Sequence, residues 1–265
     1  MPARSEFLFS ACTYLAALSR APADAEQFGI VAPADGATVI FVHGAWADGN
    51  SWSKVIVPLA GRGVGVIAAP IPLTSLGDDV TALERVIDRT AGPVVLVSHA
   101  YAGAVISSAR NSRVKALVFI NSLVPDGGET VADVFYRKPP HPRAPHLMPD
   151  ANGYIWMPND AFATAFAPNA SPSELTVLAA TQRPIAVACI KERLTAPTWR
   201  STPSWYLVAE QDQLIDVDTQ KFMAARIGAT ARSYPVDHSA LITAPEDVVD
   251  IVSEAVGSIG KSPNT

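Results

Sequence analysis

Cysteine is almost missing from this chain: two among 265 residues, Cys12 and Cys189. They are far apart, with no CxxC pair and no Cys/His spacing of the kind a structural zinc needs. A disulfide framework and a zinc-stapled fold are therefore set aside, and both residues read as plain thiols. Charge is sparse too, 17% of residues against 49% hydrophobic, which excludes a disordered chain. Basic residues are outnumbered 20 to 25, leaving a net charge of −5 and a pI near 5.5. That balance offers no footprint for nucleic acid or an anionic membrane surface, so small neutral or apolar substrates suit it better. No apolar run is long enough to span a bilayer as a helix, and there is neither an internal repeat nor a low-complexity tract.

What is present is a chain of the right size for one α/β domain with a substantial core. Residues 1–35 stand apart as an N-terminal arm or signal segment. Arg4 precedes a mostly apolar run over 7–18, and A-x-A spacing follows at 21–23 and 23–25, although Glu6 weakens a secretory reading. The expected location is cytoplasmic, with export by this segment as the alternative.

From residue 38 short β-branched runs alternate with longer helical ones, the pattern of a mostly parallel central sheet flanked by helices. Strands are expected over 38–44, 65–73, 93–99, 114–122, 204–211 and 231–236. Helices are expected over 51–63, 75–90, 102–110, 219–227 and 245–259. Between Pro125 and Pro203 the rhythm fails. Twelve of the 22 prolines fall there, around helical stretches at 160–166 and 173–187. The core is thus expected over 36–125 and 201–265, with a helical cap inserted at 126–200.

Three strand ends carry chemistry, since reactive groups in open parallel sheets gather where strands release their loops. In "VSHAYAG" the spacing is that of a G-x-S-x-G nucleophile elbow, with Ser98 and Ala102 at the small flanking positions and Ala100 at the centre. Taking Ser98 as the nucleophile would put Leu96 where a small residue must sit. In "FVHGAWADG" the loop after the first strand turns at His43-Gly44. It offers the N–H of Ala45, or of Trp46, as one oxyanion donor, and Tyr101 offers the other. His43 reads as a structural hydrogen-bonding residue. Asp212 in "AEQDQLI" and His238 in "PVDHSAL" follow late strands in the order acid, then base. Asp126, Glu210 and Asp216 are the rival acids, Asp237 is expected to face solvent, and His99 to pack inside the elbow. His141 and His146 lie in a proline-rich loop without metal-ligand spacing. Trp46, Phe135, Tyr136, Trp156, Met157, Leu214 and Ile215 are candidates for an apolar substrate pocket.

Together "FVHGAWADGNSW", "VVLVSHAYAGAVI", "ALVFINSLVPDGGE", "TQRPIA", "PSWYLVAEQDQLI" and "DHSALITAPEDVVDIV" resemble the α/β-hydrolase superfamily, in its bacterial branch related to plant methylesterases and hydroxynitrile lyases. The resemblance covers about residues 36–258. It implies a cofactor-free, metal-free catalyst whose acid and base are Asp212 and His238, with Ala45 and Tyr101 forming the oxyanion hole. The aromatic and apolar pocket candidates favour a small hydrophobic ester or lactone as substrate. The family carries serine where this chain has Ala100. The lyases also carry a lysine where Ser239 stands, which argues against cyanide chemistry. Serine to alanine is the customary way to stop turnover while retaining substrate, so the sequence reads as one recent change in an otherwise complete site. Natural loss of the nucleophile, giving a ligand-binding homologue, and a lyase using His238 as general base are the alternatives. Oligomeric state is left open.

Overall fold

The computed structural model describes residues 36–259. The arm or signal segment at 1–35, with Cys12, and the last six residues lie outside the described residues. The first half runs β1 (Thr38–Val42), α1 (Ser53–Gly61), β2 (Gly65–Ala69), α2 (Leu76–Asp88), β3 (Val94–His99), α3 (Ala102–Ser108) and β4 (Val114–Ile120). Residues 126–200 hold α4 (Val131–Phe135), β5 (Tyr154–Ile155), α5 (Asn159–Ala161), α6 (Pro172–Thr181), β6 (Ile185–Ala186) and α7 (Val187–Lys191). The chain then returns through β7 (Ser204–Ala209), α8 (Val217–Arg226), β8 (Thr230–Tyr234), α9 (Ala240–Thr243) and α10 (Pro245–Ile259).

Six strands pair in the order β2-β1-β3-β4-β7-β8, every pairing parallel. Parallel strands need crossover helices, which cover both faces, and the strands are correspondingly apolar on both. In β1, Ile40 and Val42 face the layer of α2, α3 and α8, while Val39 and Phe41 face that of α1 and α10. The chain leaves β1 sideways to β2, then crosses back to β3 on the other flank. That reversal opens a crevice at the carboxyl ends of β1 and β3.

Two local boundaries differ from the sequence expectation by four residues or more. β2 ends at Ala69 rather than running to residue 73, because Pro70 and Pro72 cannot donate to a ladder. The helix expected over 173–187 stops at Thr181, since Pro184 disfavours helical backbone before it, and the chain turns extended as β6. β6 pairs antiparallel with β5, Ile155 opposite Ile185. This pair is tied to the core loops at three points: Trp46 donates its backbone N–H to Arg183 O at 2.9 Å and its indole N–H to Ile155 O at 2.9 Å, and Ala186 N–H reaches Leu73 O at 3.0 Å.

One glycine fixes how closely the layers approach. A Cβ on Gly103, in the first turn of α3, would lie 2.4 Å from the carbonyl oxygen of Leu123 and 2.7 Å from Ser122 Cβ. Backbone cannot yield as a flexible side chain would, so Gly103→Ala is expected to cost roughly 3 kcal/mol, at the upper end of overpacking penalties. Scanning calorimetry should record a melting temperature lower by about 10 °C, given ~2–4 °C per kcal/mol for a chain of this size. An unchanged melting temperature would show that α3 has room to withdraw.

Candidate active site

Residue 100 stands where β3 ends and α3 has not begun. Its φ of +49° lies in the left-handed region that L-residues rarely adopt. The bend is held from several sides: Ala100 O accepts the N–H of Leu123 at 2.9 Å and of Gly103 at 3.2 Å. A strained residue kept in place by its surroundings is characteristic of a functional turn. Ser98 is buried inside β3 with its hydroxyl 2.9 Å from Ser122 Oγ, so it belongs to the packing beneath the bend and not to the cavity.

The loop after β1 meets this bend closely. A Cβ on Gly44 would lie 3.1 Å from Ala100 Cβ, so the side-chain space at residue 100 exists because residue 44 has none. Among the described residues the backbone N–H groups of Ala45 and Tyr101 have no acceptor within the chain, whereas that of Trp46 is spent on Arg183 O. Ala45, Ala100, Tyr101 and His238 all line one cavity of about 70 Å³.

Asp212, in the turn after β7, and His238, in the loop after β8, come together in the interior. His238 Nδ1 lies 2.9 Å from Asp212 Oδ2 and 3.1 Å from Oδ1. The carboxylate is richly served: Oδ1 accepts the N–H groups of Leu214 at 2.8 Å and Ile215 at 3.0 Å, and Oδ2 accepts Gln220 Nε2 at 3.0 Å and Asn121 Nδ2 at 3.0 Å. Burial would push the Asp212 carboxyl up, but the His238 imidazole and the N–H groups of Ile215 and Leu214 outweigh it and hold it below the usual carboxylate range. The rival acids are elsewhere. Asp126 pairs with Arg200, Glu210 is exposed, and Asp216 caps α8 through the N–H of Thr219.

Several expectations need correction or extension. Asp237 does not face solvent. It is fully buried, accepting the Ser239 N–H at 3.0 Å, the Thr243 hydroxyl at 2.7 Å and the Asn169 N–H at 3.0 Å, because the loop bearing His238 turns inward and its polar groups need a partner there. Of the pocket candidates, Trp46, Phe135, Tyr136, Leu214 and Ile215 line the cavity. Trp156 does not: it is half exposed and donates to Asp150 Oδ2. Met157 is buried in the opposite core layer, with its backbone held by Gln182. The wall also uses Leu123, Val131, Leu147, Ile155, Ile185 and Ile190, which sequence reasoning did not single out. Asn121 and Gln220 were missed as well. His141 and His146 are exposed. Among the described residues no group of three or more His, Cys, Asp or Glu stands where it could hold a metal ion, and no helix is long and apolar enough to cross a membrane.

Two further buried polar groups surround the site. Asp79 accepts the Tyr101 hydroxyl at 2.7 Å and the Leu73 N–H at 2.7 Å, beside Cys189, whose thiol burial pushes up to about 12. His99 and His43 are held neutral: burial lowers His43 to about 4, and burial together with the nearby His238 lowers His99 to about 3. Both folded-state values lie below the ordinary 6.5, so below pH 6.5 the unfolded chain binds protons the folded one refuses. Stability is therefore fully present above pH 6.5 and declines as pH falls toward 4, by up to about 1.4 kcal/mol per pH unit for each histidine. Asp212 has the same sign, because its lowered carboxyl also takes up its proton first in the unfolded chain, but it acts only lower, near and below its ordinary 3.8. Urea melts at pH 7 and pH 5 should show this loss, and His43→Gln should reduce the difference; a flat profile would contradict the burial of both rings.

Residues 39–251 match the model of the alpha/beta hydrolase family. A lipase of Mycobacterium tuberculosis (strain H37Rv), LipV, is 32% identical over 116 residues, 38% of this chain. The chain thus spans 43% of the length of that curated relative. Among solved structures, polyneuridine aldehyde esterase superposes with a TM-score of 0.72 at 16% identity, covering 86% of this chain and 100% of that one. A pyrethroid hydrolase, PytH, gives 0.73 at 16% over 86% and 100%, and a methylesterase from Arabidopsis 0.68 at 15% over 83% and 99%. At such identities the structural likeness speaks for the fold, and the family match covers most of the sequence: the chain belongs to the alpha/beta hydrolase family.

Proposed function

We propose that this fold is that of a serine-type hydrolase of small hydrophobic carboxylic esters or lactones, and that alanine at position 100 leaves it without its nucleophile. The observation that carries this reading is the left-handed backbone of Ala100 at a cavity shared with a carboxylate-paired imidazole. A bend of that kind is costly for alanine, and at a cavity it aims the side chain. With a hydroxyl there, Nε2 of His238 would take its proton as the oxygen bonds to the ester carbonyl carbon. The oxyanion would rest on the N–H groups of Ala45 and Tyr101. The alcohol would leave with the proton from His238. Water, deprotonated by the same nitrogen, would then release the acid and restore the hydroxyl.

Apart from the His238 ring the cavity wall is almost wholly apolar, and its volume is less than half of the ~150 Å³ that accommodates benzene, which supports a short or compact acyl group. Residues 126–200 supply Val131, Phe135, Ile155, Ile185 and Ile190 to that wall, which supports their role as a cap. A lyase reading is disfavoured, because Ser239 is turned away to donate to Phe166 O at 2.7 Å. As it stands the chain should bind a short alkyl ester, such as ethyl acetate, without consuming it. A soaked crystal is expected to seat the carbonyl carbon against the Ala100 methyl, and Ile185→Trp, which fills the cavity, to weaken binding at least ~10-fold. Ligand seated elsewhere, or affinity indifferent to Ile185→Trp, would overturn the reading.

A further inference from the structure

The amide of Asn121 is the polar side chain that touches both Asp212 and His238, and no part of the acyl-transfer scheme above uses it. Asn121 follows β4 and is fully buried. Its Nδ2 lies 3.0 Å from Asp212 Oδ2, 2.9 Å from the backbone oxygen of His238 and 3.2 Å from His238 Nδ1. The orientation of the amide follows from its neighbours. Turned over, Oδ1 would face a carboxylate oxygen and a carbonyl oxygen at hydrogen-bond distance, two acceptors against a third. The NH₂ end must therefore face the pair.

That group has two hydrogens, and Asp212 Oδ2 and His238 O use both. None is left for His238 Nδ1, so that nitrogen can find no donor on the amide. It must carry its own hydrogen and direct it to Asp212, 2.9 Å away. Nε2, the other ring nitrogen, is then left bare on a ring that lines the cavity. Two features speak against a merely space-filling asparagine. Its backbone is held at a φ of +33°, and its own Oδ1 has no partner although buried, a cost a packing residue would not need to carry.

We propose that Asn121 is a positioning residue that locks the acid to the base, holding the Asp212 carboxylate and the His238 backbone together so that Asp212 keeps His238 in the Nδ1–H tautomer. The inference rests on the reading of Asp212 and His238 as a working pair, and it has a readout that needs no turnover. In the chain as it stands, nitrogen-15 NMR of labelled histidine should show His238 in a single Nδ1–H tautomer with a downfield, exchange-protected ring proton. Asn121→Gly, which accepts positive φ without strain and removes the amide, should mix the tautomers and lose that proton. Asn121→Asp, which also tolerates this backbone but presents oxygens in place of hydrogens, should do so more completely.

In the Ala100→Ser background the same two changes should lower kcat about 10-fold and about 100-fold, with KM within about two-fold; ten-fold corresponds to about 1.4 kcal/mol of barrier. A backbone role alone predicts that both variants are silent. A fixed Nδ1–H tautomer in the parent that survives unchanged in both variants would overturn the inference, as would mixed tautomers in the parent itself. Loss of the NMR signature without any turnover in Ala100→Ser would uphold it while removing the hydrolase reading.

Discussion

Ala100→Ser is expected to raise the hydrolysis of short p-nitrophenyl esters by at least about 10³-fold over the chain as it stands, because nucleophile, base and acid act as a unit and what remains without one of them is the contribution of binding and the oxyanion hole. The change asks little of the fold. Serine meets the same backbone strain that alanine already bears at φ +49°, and the absent side chain of Gly44 leaves space beside the β-carbon. The affinity for substrate should hardly move, since one hydroxyl is added to an apolar wall. Release of p-nitrophenol followed by absorbance measures the gain. Equal rates in the two proteins would mean that the bend at residue 100 serves some other purpose.

In that activated background Asp212→Asn should remove about 10⁴ in kcat, the scale of loss when an imidazole is left in the wrong tautomer. The side chain is buried and serves Leu214, Ile215, Gln220, Asn121 and His238 at once. An amide retains one acceptor oxygen and turns its nitrogen toward donors. A stability loss of about 2 kcal/mol is therefore expected alongside, from buried donors left unpaired. Asp126→Asn and Asp216→Asn alter side chains that serve a surface ion pair and a helix cap, and should leave kcat within about three-fold. Initial rates of the three variants, compared at matched folded fraction, separate the acid from its sequence rivals. A fall confined to Asp126→Asn would reassign the role.

How much of this was legible in the sequence depended on how local each feature is. The bend at residue 100 could be located because a strand, a tight turn and a helix with small flanking residues are set by neighbours in the chain. Asp212 and His238 could be named because each follows a strand, and parallel strands release their loops on one side. The same criterion, a polar residue ending an apolar strand, would have found Asn121 after "ALVFI", but its left-handed backbone has no sequence signal of its own. Asp237 was misjudged because a charged residue beside a loop histidine usually meets water. Its burial depends on Asn169 arriving from residues 126–200, a contact that no periodicity announces.

The cavity wall was the least readable part. β5 is two residues long, so a shift of one residue exchanges inside for outside. Ile155 faces the cavity while the adjacent Trp156 meets solvent, although the larger aromatic is the more conspicuous letter. Ile185 and Ile190 reach the wall only because Pro184 ends α6 early and allows β6 to pair with β5. Phe135 and Tyr136, by contrast, sit at the end of a capped helical turn whose Thr130–Asp133 box can be read directly.

The central claim is that residue 100 is the point of covalent attack, and mass spectrometry of the Ala100→Ser protein after treatment with an alkyl fluorophosphonate tests it most directly. One adduct is predicted, on the peptide that carries position 100, and none on the chain with alanine there. An adduct on any other peptide, or none at all in a protein that remains folded, would contradict it.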